Sequence, residues 1–163
     1  MAGGKRTYEW QDHSPFLEAA KTKSGLELMQ GILRGELPPA TIAQTMNYRL
    51  VEVEEGRVLF EGGFEDYLMN PLGTLHGGWH GVLLDSAMAC AVQTKLPAGV
   101  GYTTLEYKIN LTRGARADVG PLRAEGWVVH FGRTTATAEG RILDRDGKVY
   151  AHGSETCLIF QPK

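Results

Sequence analysis

The stretch NPLGTLHGGWHGVLLDSAMACAVQTKLP, Asn70 to Pro97, decides how this 163-residue chain is to be read. It opens as a turn-rich loop through Asn70, Pro71 and Gly73 and reaches the triplet His76-Gly77-Gly78. From there to Lys95 only Gly81 weakens a helix. The body from Trp79 to Val92 is apolar nearly all round, with His80, Asp85 and Ser86 as the polar exceptions. A surface helix carries one apolar stripe, so this pattern predicts a helix enclosed on most sides. A carboxylate in the middle of such a helix is costly to bury, and Asp85 is that carboxylate.

On the N-terminal side, Met46–Glu54 and Arg57–Glu65 read as a strand pair turning at Glu55-Gly56, with Gly62-Gly63 suggesting a bulge. In the first of these, Tyr48, Leu50 and Glu52 alternate against Arg49, Val51 and Val53. Further upstream, Ser14 to Leu33 repeats apolar residues at helical spacing, with Ser14-Pro15 as N-cap and first-turn proline. This predicts one or two helices packed outside the main body, insulated from it by Pro38-Pro39. The first fifteen residues are polar and expected to be loosely held.

On the C-terminal side everything reads as strand. Thr103–Arg113 (TTLEYKINLTR) alternates cleanly, placing Leu105, Tyr107, Ile109 and Leu111 on one face and Thr104, Glu106, Lys108, Asn110 and Thr112 on the other. Leu122–Phe131 follows, then a Gly132-Arg133 turn into Thr134–Leu143. The Asp144-Arg-Asp-Gly147 run is a hairpin signal leading into a last strand, Lys148–Phe160.

The chain is long enough for one domain with its own core. A net charge of −2 and a pI near 6.2 argue against a nucleic-acid surface. No apolar run is long enough to span a bilayer, and the N-terminus lacks the apolar core of a secretory signal. Cys90 and Cys157 sit far apart in apolar contexts, as buried thiols of a reducing compartment do, so a cytoplasmic location is expected.

A helical preface over residues 1–45, then two strands, one long enclosed helix and four strands over residues 46–163, point to an α+β fold. Its economical form is a curved antiparallel sheet of about six strands wrapped round the helix, the layout of the hotdog fold. The block N-P-L-G-T-L-H-G-G…L-L-D-S-A, the strand TTLEYKINLTR and the hairpin VVHFGRTTATAEG together resemble the hotdog acyl-CoA thioesterases of the phenylacetate-pathway type. The resemblance covers the last two thirds of the chain. It implies hydrolysis of an acyl-CoA to free acid and CoA, in dimers often paired into tetramers, with active sites at the dimer interface. It places Asn70, His76 and Gly77 on the oxyanion and loop side. Asp85 matches the catalytic carboxylate, and Thr104 matches a hydroxyl supporting the attacking water. Trp79-His80 departs from the family's small aliphatic residues, which would reshape the acyl or pantetheine channel.

Helix geometry bears on this independently. Asp85 lies eight residues beyond Gly77, roughly 12 Å along an α-helix at about 1.5 Å per residue. One thioester carbon cannot lie within about 3 Å of both groups of the same chain. If both act on one substrate they come from two copies running antiparallel across a two-fold axis. The small residues Gly78, Gly81, Asp85, Ala89 and Val92 form a slim stripe suited to such an approach. The helix N-terminus at Gly77 offers free N–H groups and a positive dipole end for a developing oxyanion. Asp85 is expected to have a raised pKa and to act as base toward water or as a nucleophile forming a mixed anhydride.

Other readings compete with these. Asp85 would also serve as an interface cap, Asn70 as a turn residue, and His76 as an anchor of the loop rather than a proton carrier. His76 and His80 have the spacing of a zinc pair, yet His76 precedes the helix and no HExxH motif or cysteine cluster accompanies it, so no metal is expected. Cys90 reads as core filler. Arg133 and Thr134 in the FGRT turn, with Arg113, are candidates to meet CoA phosphates. CoA is part of the substrate, and no separate cofactor is expected. A hotdog hydratase or dehydratase and a non-catalytic acyl-CoA-binding module are the alternatives to a thioesterase.

Overall fold

A computed structural model describes residues 3–161; the ends of the two expected segments, residues 1–2 and 162–163, lie outside it. Three short helices come first: α1 (Ser14–Ala20), α2 (Gly25–Leu33) and α3 (Thr41–Thr45). Strands β1 (Tyr48–Glu54) and β2 (Arg57–Gly62) follow, then the long helix α4 (Gly77–Gln93). The chain closes with β3 (Gly101–Leu111), β4 (Leu122–Phe131), β5 (Thr135–Leu143) and β6 (Val149–Phe160). The six strands form one sheet in the order β1-β2-β4-β5-β6-β3, every neighbouring pair antiparallel. The sheet curves round α4, as the hotdog layout requires.

The closeness of sheet and helix explains part of the glycine content. A Cβ on Gly126 would stand 2.2 Å from the Ala87 carbonyl oxygen, and one on Gly62 would stand 2.5 Å from the Trp79 ring. The sheet therefore touches the helix backbone itself along β4. Leu83, Leu84, Ala87, Met88, Ala91 and Val92 are buried on that side of α4.

Two bulges alter the expected alternation. In β1 the register slips between Leu50 and Glu52, so Val53 turns toward the core and Glu52 toward solvent. Gly62-Gly63, read as a bulge, instead ends β2, and Gly62 is small because Trp79 fills the space over it. In β3 the slip falls between Thr104 and Glu106, making Leu105 the extra residue. Thr104 thereby joins Tyr107, Ile109 and Leu111 on the helix side, while Leu105 leaves them and is 57% exposed.

The N-terminal region is two helices plus a short third one, and it is docked rather than loose. Ser24, not Ser14, makes a capping box, exchanging hydrogen bonds with Glu27. Ser14 is the first helical residue of α1, after His13, and is itself bound by Asp12. The Gly25 N–H donates to the Leu96 carbonyl at 2.8 Å, seating the start of α2 against the end of α4. Arg6 donates to the carbonyls of Gln44 and Thr45 at the end of α3 and stacks over Tyr67. A guanidinium on the free carbonyls of a helix end is well placed electrostatically, and it ties down the segment expected to be loosely held.

No helix among the described residues is long and apolar enough to cross a membrane.

Candidate active site

The site begins where the loop meets α4. Asn70 Oδ1 accepts from the N–H groups of Leu72 and Thr74, and its Nδ2 donates to Thr74 Oγ1 at 2.8 Å. All these contacts are inside the loop, so Asn70 builds the turn that delivers the helix start. His76 is the N-cap of α4: its Nδ1 accepts the Gly78 N–H at 2.9 Å. The ring thus orients the loop and leaves the Gly77 N–H, first in the helix, without an intrahelical acceptor. Gly77 lies against Leu111 of β3, where a Cβ would come within 2.9 Å of a leucine methyl.

Two turns further on, Asp85 is half-buried on the side of α4 away from β4. Desolvation holds its carboxyl above the usual carboxylate range, and a hydrogen bond from Thr104 partly opposes that. Thr104 Oγ1 stands 3.4 Å from Asp85 Oδ1 and 2.7 Å from Glu155 Oε1. The β3 bulge makes this meeting possible.

Glu155 was not anticipated from the sequence. It is 1% exposed, its Oε1 also accepts from Cys157 Sγ at 3.3 Å, and its Oε2 has no hydrogen-bond partner among the described residues. Burial pushes its carboxyl up to about 7. The signal was available in β6: Glu155 shares parity with the apolar, inward-facing Ala151, Cys157 and Ile159.

The two residues that depart from the family pattern do not line the helix's open side. Trp79 is buried in the core, donating its Nε1–H to the Met46 carbonyl at 2.7 Å. His80 is also buried, edge-on to Trp79, with Nδ1 3.2 Å from the His76 carbonyl. Burial lowers its proton affinity. His76 Nδ1 is engaged by a backbone N–H, while His80 Nε2 is buried without a hydrogen-bond partner among the described residues.

Arg133 and Thr134 lie exposed in the β4–β5 turn. Arg113 lies just beyond β3, its guanidinium 5.9 Å from the Tyr150 ring. The preceding β3 end packs at the start of α4, whereas Phe131, before the β4–β5 turn, is near Lys95 at the helix's other end. One chain therefore keeps these two basic candidates at opposite ends of α4 rather than bringing them together.

A cavity of about 820 Å³ opens between the N-terminal helices and the face of α4 next to Asp85. Met29, Ile32, Tyr48, Ser86, Cys90 and Tyr102 are among its lining, and Tyr48 Oη meets Ser86 Oγ at 2.8 Å. Cys90 packs against the core, as its apolar context suggests, and also lines this cavity.

Residues 72–151 match the family model of the thioesterase superfamily. A phenylacetic acid degradation-related protein of Ralstonia eutropha JMP134, assigned as a thioesterase, is 30% identical. The match covers 80% of this chain and 98% of that one, with a TM-score of 0.73. The chain belongs to the thioesterase superfamily. Within it the fold is that of the PaaI-like hotdog thioesterases, and the protein is a thioester hydrolase. A conserved protein of Pseudomonas aeruginosa is 28% identical, covering 78% of this chain and 98% of its own, with a TM-score of 0.71. The PaaI protein of the E. coli phenylacetic acid degradation operon shares the fold at 20% identity and a TM-score of 0.73, covering 84% and 96% of the two chains. A Saccharolobus solfataricus protein assigned as an esterase is 28% identical over 122 residues, which is 75% of this chain and 85% of that one.

Proposed function

We propose that this thioesterase hydrolyses an acyl-CoA, with Asp85 of one protomer and the Gly77 N–H of a second acting on the same thioester. The observation that carries the reading is the placement of Asp85: a half-buried carboxylate in an apolar helix, held by Thr104 and two turns from the free N–H. In this scheme the thioester oxygen enters the helix N-terminus of the second protomer. As the tetrahedral intermediate forms, its negative charge meets the N–H and the positive dipole end. Asp85 takes a proton from water as the water adds to the carbonyl carbon, or adds to that carbon itself. CoA then leaves as the thiolate; in the second route water must next cleave the Asp85 anhydride to release the acid, and neither route needs a metal.

A second copy suits the surface of this chain. β3 is an 11-residue edge strand, and Leu105, Tyr107 and Leu111 on it are exposed. An edge of that length and apolar character is a template for pairing. Antiparallel pairing would carry one chain's Gly77 toward the other's Asp85. It would also bring Arg113 of one copy toward the Arg133-Thr134 turn of the other, where CoA phosphates are expected to bind. Of the proposed small-residue stripe, Gly81, Ala89 and Val92 are already covered within the chain, so its accessible members are Gly78 and Asp85. The cavity beside Ser86 and Cys90 supplies an apolar wall for the acyl group.

The test is thiol release from a panel of aromatic, short-chain and medium-chain acyl-CoAs, with Asp85→Asn as control. At least one substrate should be cleaved, and Asp85→Asn should lose about 10³-fold in kcat, about 4 kcal/mol of barrier, while still binding it. Unchanged turnover by Asp85→Asn would remove Asp85 from the chemistry. A single turnover in ¹⁸O-water that leaves label in the Asp85 carboxylate identifies direct attack, with the anhydride opened at the Asp85 carbonyl.

A further inference from the structure

Glu155 has no place in the chemistry just described, yet it is among the most thoroughly buried polar side chains of the molecule. Its neighbours are few. α4 turns Asp85 and Cys90 toward it, and β3 contributes Thr104, Tyr102, its cross-strand partner Tyr107 and, more remotely, Glu106. On its own strand it meets Cys157, and the β5 residue beside it is Ala138. Among the described residues no lysine, arginine or histidine forms an ion pair with it. A carboxylate left with one bare oxygen among thiols, a phenol and other carboxylates is poorly placed to keep a negative charge.

Thr104 owns a single hydroxyl proton and stands between two carboxyl groups, 2.7 Å from Glu155 and 3.4 Å from Asp85. When Glu155 is ionised, that proton goes to the nearer acceptor, and Asp85 faces an oxygen lone pair. When Glu155 holds a proton, its O–H donates to Thr104 Oγ1, and the hydroxyl proton is free to turn toward Asp85.

We propose that Glu155 is a positioning residue for thioester hydrolysis: its protonated carboxyl fixes the direction of the Thr104 hydroxyl so that Thr104 donates to Asp85. This rests on Asp85 being the reacting carboxylate. The proton of Glu155 stays on Glu155 throughout; it sets an orientation and is not transferred to substrate. Ionisation of Glu155 withdraws the donor from Asp85 and adds a second negative charge beside it. Asp85 stays ionised, but it loses the hydrogen bond that aims it, and the added charge opposes the oxyanion that develops during attack. Turnover therefore falls as pH rises through the titration of Glu155, and burial has brought that titration to about 7.

The experiment is the pH profile of kcat for the acyl-CoA cleaved fastest, measured on wild type, Glu155→Gln and Glu155→Leu. The amide of Glu155→Gln keeps an N–H donor to Thr104 and cannot ionise. Its alkaline limb should move up by more than one pH unit, with plateau kcat within about 3-fold of wild type. Glu155→Leu should lose about 10-fold below neutral pH and lack the alkaline limb, and neither change should add to the loss in a Thr104→Val background. A merely structural Glu155 would leave the limb of the Gln variant where it was, and that result overturns the proposal. If Glu155→Gln does not fold, infrared titration of the wild type decides. A protonated carboxyl band lost near neutral pH supports the assignment, and its absence overturns it. Retained turnover in Asp85→Asn would instead remove the underlying role of Asp85, so the two failures are distinguishable.

Discussion

The two sides of α4 are built on opposite plans. One side is pressed so hard against β4 and β5 that glycines are needed where the sheet crosses it. The other carries Gly78, Val82 and Asp85, none of them fully covered, beside a β3 edge whose apolar side chains face solvent. The first side fixes where the helix is. The second depends on that position but leaves room for a substrate and a second chain. Stability and chemistry are thus divided across one helix, and substitutions on the two sides should fail in different ways.

The largest effect belongs to the packed side. Gly126→Val puts atoms into the Ala87 carbonyl and should cost at least about 4 kcal/mol, read as loss of folded protein in a urea melt. A melt close to wild type would mean that sheet and helix can separate, and the contrast between the sides would collapse. On the open side, Leu111→Asp should leave the fold intact by circular dichroism but shift sedimentation toward the monomer. Activity should fall about 100-fold, roughly 2.7 kcal/mol, because each half-site loses its complement. Full activity in a monomer would show that one chain suffices.

Between these two sides lies Glu155, and here the effect is read against pH. Its carboxyl is raised from 4.5 to about 7 by burial. A raised acid stabilises the fold fully below its unfolded value and loses that contribution as pH climbs through the folded one. The melting temperature should therefore fall between about pH 4.5 and 7.5, by on the order of 2–3 kcal/mol of stability, and Glu155→Gln should flatten that fall. Asp85, also raised, acts with the same sign, while Glu125, held below its usual range between Arg57 and Arg141, acts oppositely in acid. The smallest effect is expected far from α4. Arg49→Ala, on the solvent face of β1, should change stability by no more than about 0.5 kcal/mol, since its bond to Glu61 is an exposed ion pair.

The fold was legible because its strongest signals are local. An apolar helix with one carboxylate, a strand beginning and ending at Leu122 and Phe131, and a hairpin at Asp144–Gly147 all follow from periodicity and turn chemistry. What escaped is what periodicity cannot record. The slips at Val51 and Leu105 leave the run of residue types looking unbroken, yet they change which side chains meet the helix. In sequence alone Trp79 suggests a reshaped channel, because its place in the core depends on Gly62, far away in sequence. Likewise the docking of Arg6 depends on the end of α3. At the site, Asp85 stood out as an anomaly in its helix, whereas Glu155 sat in a polar-looking segment, GSET, where only strand parity marks it as internal.

Leu105 deserves a last look as a matter of chain length rather than chemistry. Thr104 and Tyr107 are three apart in sequence yet point to the same side, so β3 is a regular strand with one residue added. Removing that residue would restore plain alternation and leave Thr104, Tyr107, Ile109 and Leu111 all still facing the helix. Only the local bend and one protruding leucine would go. Insertion and deletion at this point are thus the changes by which the strand's curvature can be altered while its helix-facing set stays constant. Substitution, the usual currency of sequence comparison, would register none of it.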